Sequence, residues 1–185
     1  MPTPAIVRKH GLSAITGLLF LLAAWRLGMS AELPAVLAFI FGGVLLAVID
    51  WKVQRLPTRI VYWTLAGVSA GLLFAAVVRS DWRSLLDALI GAGLFAGVYF
   101  LIWLVGEQFV GFKILGLGDV RLAIVLGALL GWYGLKYVLL GAIVGHLLAL
   151  AVGLVVAVRQ RKLHFNFAFG PPLIVATLAV ILIHG

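Results

Sequence analysis

Only six of the 185 residues are acidic, and two of the six stand where a charge is costly. Asp50 closes the apolar run Val44-Leu45-Leu46-Ala47-Val48-Ile49. Asp119 lies inside Ile114-Leu115-Gly116-Leu117-Gly118-Asp119-Val120, with Leu122-Ala123-Ile124-Val125-Leu126 following. An ionisable side chain at membrane depth is a functional candidate by default. Two carboxyls brought close in a poorly hydrated place hold one proton between them. The ionised one takes a proton from water as that water attacks a carbonyl carbon, and the protonated one donates to the oxygen that gains charge. That is the chemistry of aspartyl peptide hydrolysis. Such a pair titrates as a unit, so neither residue receives a separate role. The competing expectation is a set of ordinary interfacial ion pairs, Asp50 with Lys52 or Arg55 and Asp119 with Arg121. The other four acids have simpler explanations. Glu32 precedes an apolar run, where a helix start favours negative charge. Asp81 and Asp87 flank the start of another run as capping or solvated groups, and Glu107 beside Gly106 is expected to be wet.

The elements that position these two acids are membrane helices. Hydrophobic residues make up 64% of the chain and charged residues 11%, with a mean hydropathy of +1.22. A soluble domain of this size cannot hide that much apolar surface, so lipid is the expected solvent. A span needs about 20 apolar residues. The pattern predicts an all-α polytopic bundle of about seven spans, within a range of six to eight. These run over Gly11–Trp25, Leu33–Asp50, Ile60–Val78, Leu85–Val105, Ile114–Trp132, Leu135–Val158 and Phe165–Ile183. They form one transmembrane peptidase domain over residues 1–185 with no soluble domain. The first segment is read as a retained helix rather than a signal peptide, because further spans follow immediately.

Basic residues orient the bundle. With the amino terminus inside, the inner segments carry Arg8, Lys9, Lys52, Arg55, Arg59, Lys113, Arg121, Arg159, Arg161 and Lys162. The outer segments carry Arg26, Arg79, Arg83 and Lys136. The positive-inside rule therefore places the amino terminus in the cytoplasm. The second span then ends at the inner face and the fifth begins there, so Asp50 and Asp119 reach one depth on one side. The net charge of +8 is spread over short clusters between spans, which argues for topology and against nucleic acid. Cysteine is absent, which removes thiol nucleophiles, disulfides and Cys-based zinc sites.

Small residues around the acids fit close backbone approach. Gly116 and Gly118 remove side chains just before Asp119, as an extended peptide substrate would require. Pro57, in Gln54-Arg55-Leu56-Pro57-Thr58-Arg59, stops the second helix and sets a short turn. Four spans carry Gly-x-x-x-Gly: Gly67/Gly71, Gly93/Gly97, Gly127/Gly131 and Gly141/Gly145. Recurrence in four spans favours packing inside one bundle over a dimer interface.

Asp50 with Arg55-Leu56-Pro57-Thr58, then Gly116-Leu117-Gly118-Asp119-Val120-Arg121-Leu122, resembles the type IV prepilin peptidases, within the Gly-x-Gly-Asp intramembrane aspartyl proteases. Leu126-Gly127-Ala128-Leu129-Leu130-Gly131-Trp132 and Phe169-Gly170-Pro171 extend the likeness from about Leu33 to the end. The resemblance implies Asp50 and Asp119 as catalytic residues, with Gly116, Gly118, Pro57, Arg121, Gly170 and Pro171 shaping the site. It implies a prepilin or pseudopilin precursor as substrate and partner, with a short basic leader cut after glycine at the cytoplasmic face of the inner membrane. Thr58 stands where the family pattern has Asn or Asp, and Arg121 where it has Lys. Many relatives also methylate the new amino terminus through a cysteine-bearing insert. The sequence has no cysteine, so peptidase activity alone is expected, with no cofactor and no metal. The oligomeric state stays open. Two other functions are a catalytically silent pilus-assembly factor and a small proton-coupled transporter. The transporter fits less well, since its ionisable groups belong near the midplane of related halves.

His146, in mid-span, is expected to be bonded across the bundle rather than to relay protons. His10, His164 and His184 show no metal-ligand spacing. Gly170-Pro171 is either a break in the seventh span or the plain first turn of its helix.

Overall fold

The computed structural model describes residues 4–110, 115–160 and 169–185. Among these the chain is all helical. The helices are α1 (Pro4–Leu27), α2 (Leu33–Val53), α3 (Thr58–Arg79), α4 (Trp82–Val105), α5 (Leu117–Tyr133), α6 (Leu135–Gln160) and α7 (Gly170–His184). A π-helical turn, Gly106–Val110, continues α4. All seven ends and five of the seven starts agree with the apolar runs to within a turn. Ile114 and Phe165, expected to open the fifth and seventh spans, lie outside the described residues, as do Lys113, Arg161, Lys162 and His164.

Among the described residues, four helical stretches are long and apolar enough to cross a membrane: Leu33–Val53, Thr58–Arg79, Trp82–Gln108 and Leu135–Val156. The α7 helix has 15 residues, about 22 Å at the α-helical rise, against a hydrocarbon core of about 30 Å. It is shorter than the predicted seventh span because Gly170 opens the helix and the two prolines sit in its first turn. The Gly-Pro pair is thus the first turn of a helix.

Sequence punctuation explains most boundaries. The α2 helix ends where Gln54 turns left-handed at φ 52° and its amide donates to the Asp50 carbonyl. Pro57 then sets the extended residue before α3. The Asp81 side chain caps α4 by accepting from the Ser84 amide at 3.0 Å and the Ser84 hydroxyl at 2.7 Å, the capping role expected of it. Gly134, at φ 127°, makes the one-residue link from α5 to α6.

The α5 helix is the axis of the bundle. Leu122, Ala123, Val125, Leu126, Leu129 and Leu130 are all buried, and α3, α4, α6 and α7 pack around them. The α2 helix packs on α3 and α7 instead, with no extended interface to α5. Glycines allow the closest approaches. A Cβ on Gly127 would collide with the Gly91 carbonyl, and one on Gly131 with the Asp87 carbonyl, so α4 and α5 touch backbone to backbone. Gly71 likewise faces Ala35 of α2, and Gly145 faces Leu173 of α7. Three of the four Gly-x-x-x-Gly motifs are therefore internal packing, as expected. Gly93 and Gly97 are different, since nothing lies within 4 Å of a Cβ on either. Large apolar side chains such as Leu18, Trp63 and Leu150 point outward, which is the arrangement a lipid-solvated surface calls for.

Candidate active site

Asp50 lies in the last turn of α2, and 5% of it is exposed. Its Oδ2 accepts a hydrogen bond of 3.0 Å from the Gly170 amide. The local sequence makes that amide the available donor. Pro171 and Pro172 follow it in the first turn of α7 and have no N–H, so Gly170 supplies the free donor at a helix start that would otherwise be unpaired. Gly170 must be small here. A Cβ on it would lie 2.8 Å from the Asp50 Oδ2. Asp50 is thereby solvated by the positive end of α7.

Asp119 is the third residue of α5 and uses the start of its own helix in the same way. Its Oδ2 accepts from the Gly116 amide at 3.1 Å. This is one half of a capping box. The other half would need a side chain at the cap position, which glycine lacks. Gly118 meets a different constraint, because a Cβ there would sit 2.9 Å from the Leu56 Cβ in the α2–α3 turn. The glycines flanking Asp119 thus serve separate ends: Gly116 gives its amide and Gly118 gives room for the neighbouring turn.

The two acids come from positions 50 and 119 to the same end of the bundle, and Asp119 lies within range of the Asp50 charge. Among the described residues no hydrogen bond joins their carboxyls and neither makes a salt bridge. The interfacial ion pairs with Lys52, Arg55 and Arg121 are therefore absent. Arg121 turns instead to the α2–α3 turn, and its Nη1 donates to the Thr58 hydroxyl at 2.9 Å. Pro57 closes that turn and sets the start of α3. Of the expected site-shaping residues, Gly116, Gly118 and Gly170 touch an acid or pack beside one. Pro57, Arg121 and Pro171 act on the surrounding backbone.

Sequence reasoning missed three neighbours. Leu56 packs on Gly118 and Thr58 binds Arg121; their signal was the short turn after Asp50. Tyr99, buried in α4, lies within the reach of the Asp119 charge. Its hydroxyl is 3.3 Å from His146 Nε2, and His146 Nδ1 is 2.7 Å from the Ala142 carbonyl. A carbonyl only accepts, so Nδ1 carries the proton, and in the neutral ring Nε2 accepts from Tyr99. His146 is thus bonded across the bundle, as expected.

Glu32 stands at the cap position of α2, before the apolar run, as expected. Its side chain makes no cap bond at the start of α2. It is buried at the opposite end of the bundle, paired with Arg79 at 2.7 Å. The sequence did not point to this second partner, a cation from the end of α3. Glu107 is exposed in the π turn, as expected.

A profile described as the type IV leader peptidase family matches residues 37–158, a stretch that contains Asp50, the α2–α3 turn and Asp119. The chain is 38% identical over 160 residues to the prepilin leader peptidase/N-methyltransferase of Myxococcus xanthus, covering 81% of this chain and 45% of that protein. It is 35% identical over 130 residues to that of Escherichia coli, covering 68% and 52%. Against that of Pectobacterium carotovorum it is 35% identical over 181 residues, covering 92% and 59%. The chain thus spans about half the length of the curated relatives it matches. No solved structure matches it.

Proposed function

The chain belongs to the type IV leader peptidase family, and on that premise we propose that it hydrolyses the leader peptide of prepilin or pseudopilin precursors, with Asp50 and Asp119 as the catalytic pair. One observation carries the reading. Two acids from distant segments come to one end of an apolar bundle, each accepts from a backbone amide at a helix start, and among the described residues neither pairs with a cation. A structural acid in such a place needs a cationic partner. A pair that must exchange protons needs the opposite, a polar cradle that leaves the carboxyl oxygens free to react.

In the proposed reaction the pair holds one proton. The ionised carboxylate removes a proton from water, whose oxygen bonds to the carbonyl carbon of the leader's terminal glycine. The protonated carboxyl gives its proton to the carbonyl oxygen, forming a neutral tetrahedral diol. The proton taken from water then passes to the departing nitrogen as the C–N bond breaks. A diol hydroxyl returns its proton to the pair, which regains its starting state. The products are the free leader and a new amino terminus. The proposal covers leader cleavage alone, in the inner membrane, with the Asp50–Asp119 end toward the cytoplasm. The positive-inside count supports that side. The family membership and the four spanning-length helices support a multi-pass membrane setting.

The test is cleavage of a precursor with a short basic leader ending in glycine, co-reconstituted with the chain in lipid vesicles. Asp50→Asn and Asp119→Asn should each lose about a thousandfold or more in rate, as expected when one member of a catalytic unit is removed, while still inserting and folding. Normal processing by either variant would refute the pair. Precursor binding without cleavage by the unaltered chain would favour the silent assembly factor.

A further inference from the structure

We propose that Arg121 and Thr58 form a clasp that sets the position of Asp119 relative to Asp50, and that Arg121 is thus a positioning residue for the proposed hydrolysis. The inference rests on the function proposed above and adds a residue pair to it.

The argument starts from what does not hold the acids together. The α2 helix carries Asp50 and α5 carries Asp119, yet these helices share no extended interface and are bridged by α3 and α7. From α7, Gly170 reaches Asp50. From α3, the link is the turn Gln54–Pro57 and the first residue of the helix, Thr58. Thr58 accepts from Arg121 at 2.9 Å, and Leu56 of the same turn fills the space left by Gly118. Arg121 stands two residues after Asp119, and Gly118 stands one before it. The turn after Asp50 therefore grips α5 on both sides of the second acid, by packing on one side and by a hydrogen bond on the other.

Thr58 and Arg121 stand on different helices, 63 residues apart, and the structure bonds them to each other. The two side chains match in reach. Threonine has a shorter acceptor arm than asparagine, and arginine has a longer donor arm than lysine. A change at one position alone should leave the arms mismatched. A change at both should restore the fit.

The clasp is solvent-facing and joins a charge to a neutral hydroxyl, so its contribution to global stability is small. Its effect belongs in the geometry of the pair, where small displacements lower the rate of the chemical step. The test is a double-mutant cycle on the vesicle cleavage assay with the same basic-leader precursor. Arg121→Ala and Thr58→Ala should each lower kcat about tenfold, and the double variant should be no worse than either alone. KM and the thermal unfolding midpoint should stay unchanged. Arg121→Lys alone should be impaired, and Thr58→Asn with Arg121→Lys should recover most of the lost rate.

Losses that multiply in the double variant would overturn the clasp. So would losses confined to KM, losses that track the unfolding midpoint, or an Arg121→Lys defect that Thr58→Asn does not relieve. Asp50→Asn in the same assay separates this proposal from the one beneath it. If that variant still cleaves, the catalytic reading fails. If it is inactive while the cycle is additive, only the clasp fails.

Discussion

Glu32 and Asp50 sit at opposite ends of the bundle and are equally hidden, 6% and 5% exposed, but their surroundings differ in kind. Glu32 meets the Arg79 guanidinium at 2.7 Å. Nearby, Arg26 donates to the Leu182 and Ile183 carbonyls at 2.7 and 2.9 Å, closing the end of α7. Among the described residues Asp50 meets a backbone amide and no cation, and Asp119 likewise. Burial alone therefore does not distinguish these acids. What separates the ends is how charge is answered. A cation answers it at the Glu32 end and leaves nothing to react. Helix starts answer it at the Asp50 end, which tolerates either protonation state because partial charges favour an anion without fixing one.

The comparison can be broken at three places. The largest expected effect is at Gly170. Gly170→Ala puts a methyl group 2.8 Å from the Asp50 Oδ2 and displaces the carboxyl, which should lower the rate of leader cleavage about a hundredfold. A kinetic assay on folded protein checks it, and wild-type activity would mean that the α7 amide does not position Asp50. The next is at the other end. Arg79→Ala leaves Glu32 buried without its cation. It should destabilise the bundle by about 1–2 kcal/mol, less than a fully buried pair would because half of Arg79 is exposed. Cleavage per folded molecule should be unchanged, and adding Glu32→Gln should return part of the lost stability. Thermal unfolding in detergent measures the first, and a fall in kcat would contradict the division between the ends.

The smallest effect is at Asp81. The Ser84 amide and hydroxyl hold its carboxyl below the ordinary value of 3.8. A group with a lowered folded value contributes stability above its unfolded value, and that contribution is lost as pH falls through the folded one. Asp81→Asn should therefore narrow the difference between the unfolding midpoint at neutral pH and that at pH below the carboxylate range. An unchanged difference would show that the cap does not bear on folding.

The placement of Asp50 and Asp119 at one end of the bundle was legible in the sequence, because each interrupts an apolar run where the second predicted span ends and the fifth begins. Helix bounds were legible where glycine and proline stand, as at Pro57 and Gly170. The pairing of Glu32 with Arg79 was not. The two are 47 residues apart, and a lone acid before an apolar run looks the same whether a dipole or a distant arginine receives it. Arg121 was misleading for a related reason. Its nearness to Asp119 suggested an ion pair, but two residues along a helix point about 200° apart, so it turned to Thr58. Gly93 and Gly97 repeat the spacing of the packed glycines. Only the structure shows that α4 meets α5 through Gly91 and leaves those two outside.

The central claim is that Asp50 and Asp119 lie side by side, and the absence of natural cysteine allows a direct measurement. The double variant Asp50→Cys/Asp119→Cys can be treated in membranes with a short thiol-to-thiol reagent and the linked peptides read by mass spectrometry. The account predicts an efficient link within one chain, comparable with Thr58→Cys/Arg121→Cys and absent from Glu32→Cys/Asp119→Cys. If the 58–121 pair links and the 50–119 pair does not, the two acids do not share a site and the account is contradicted.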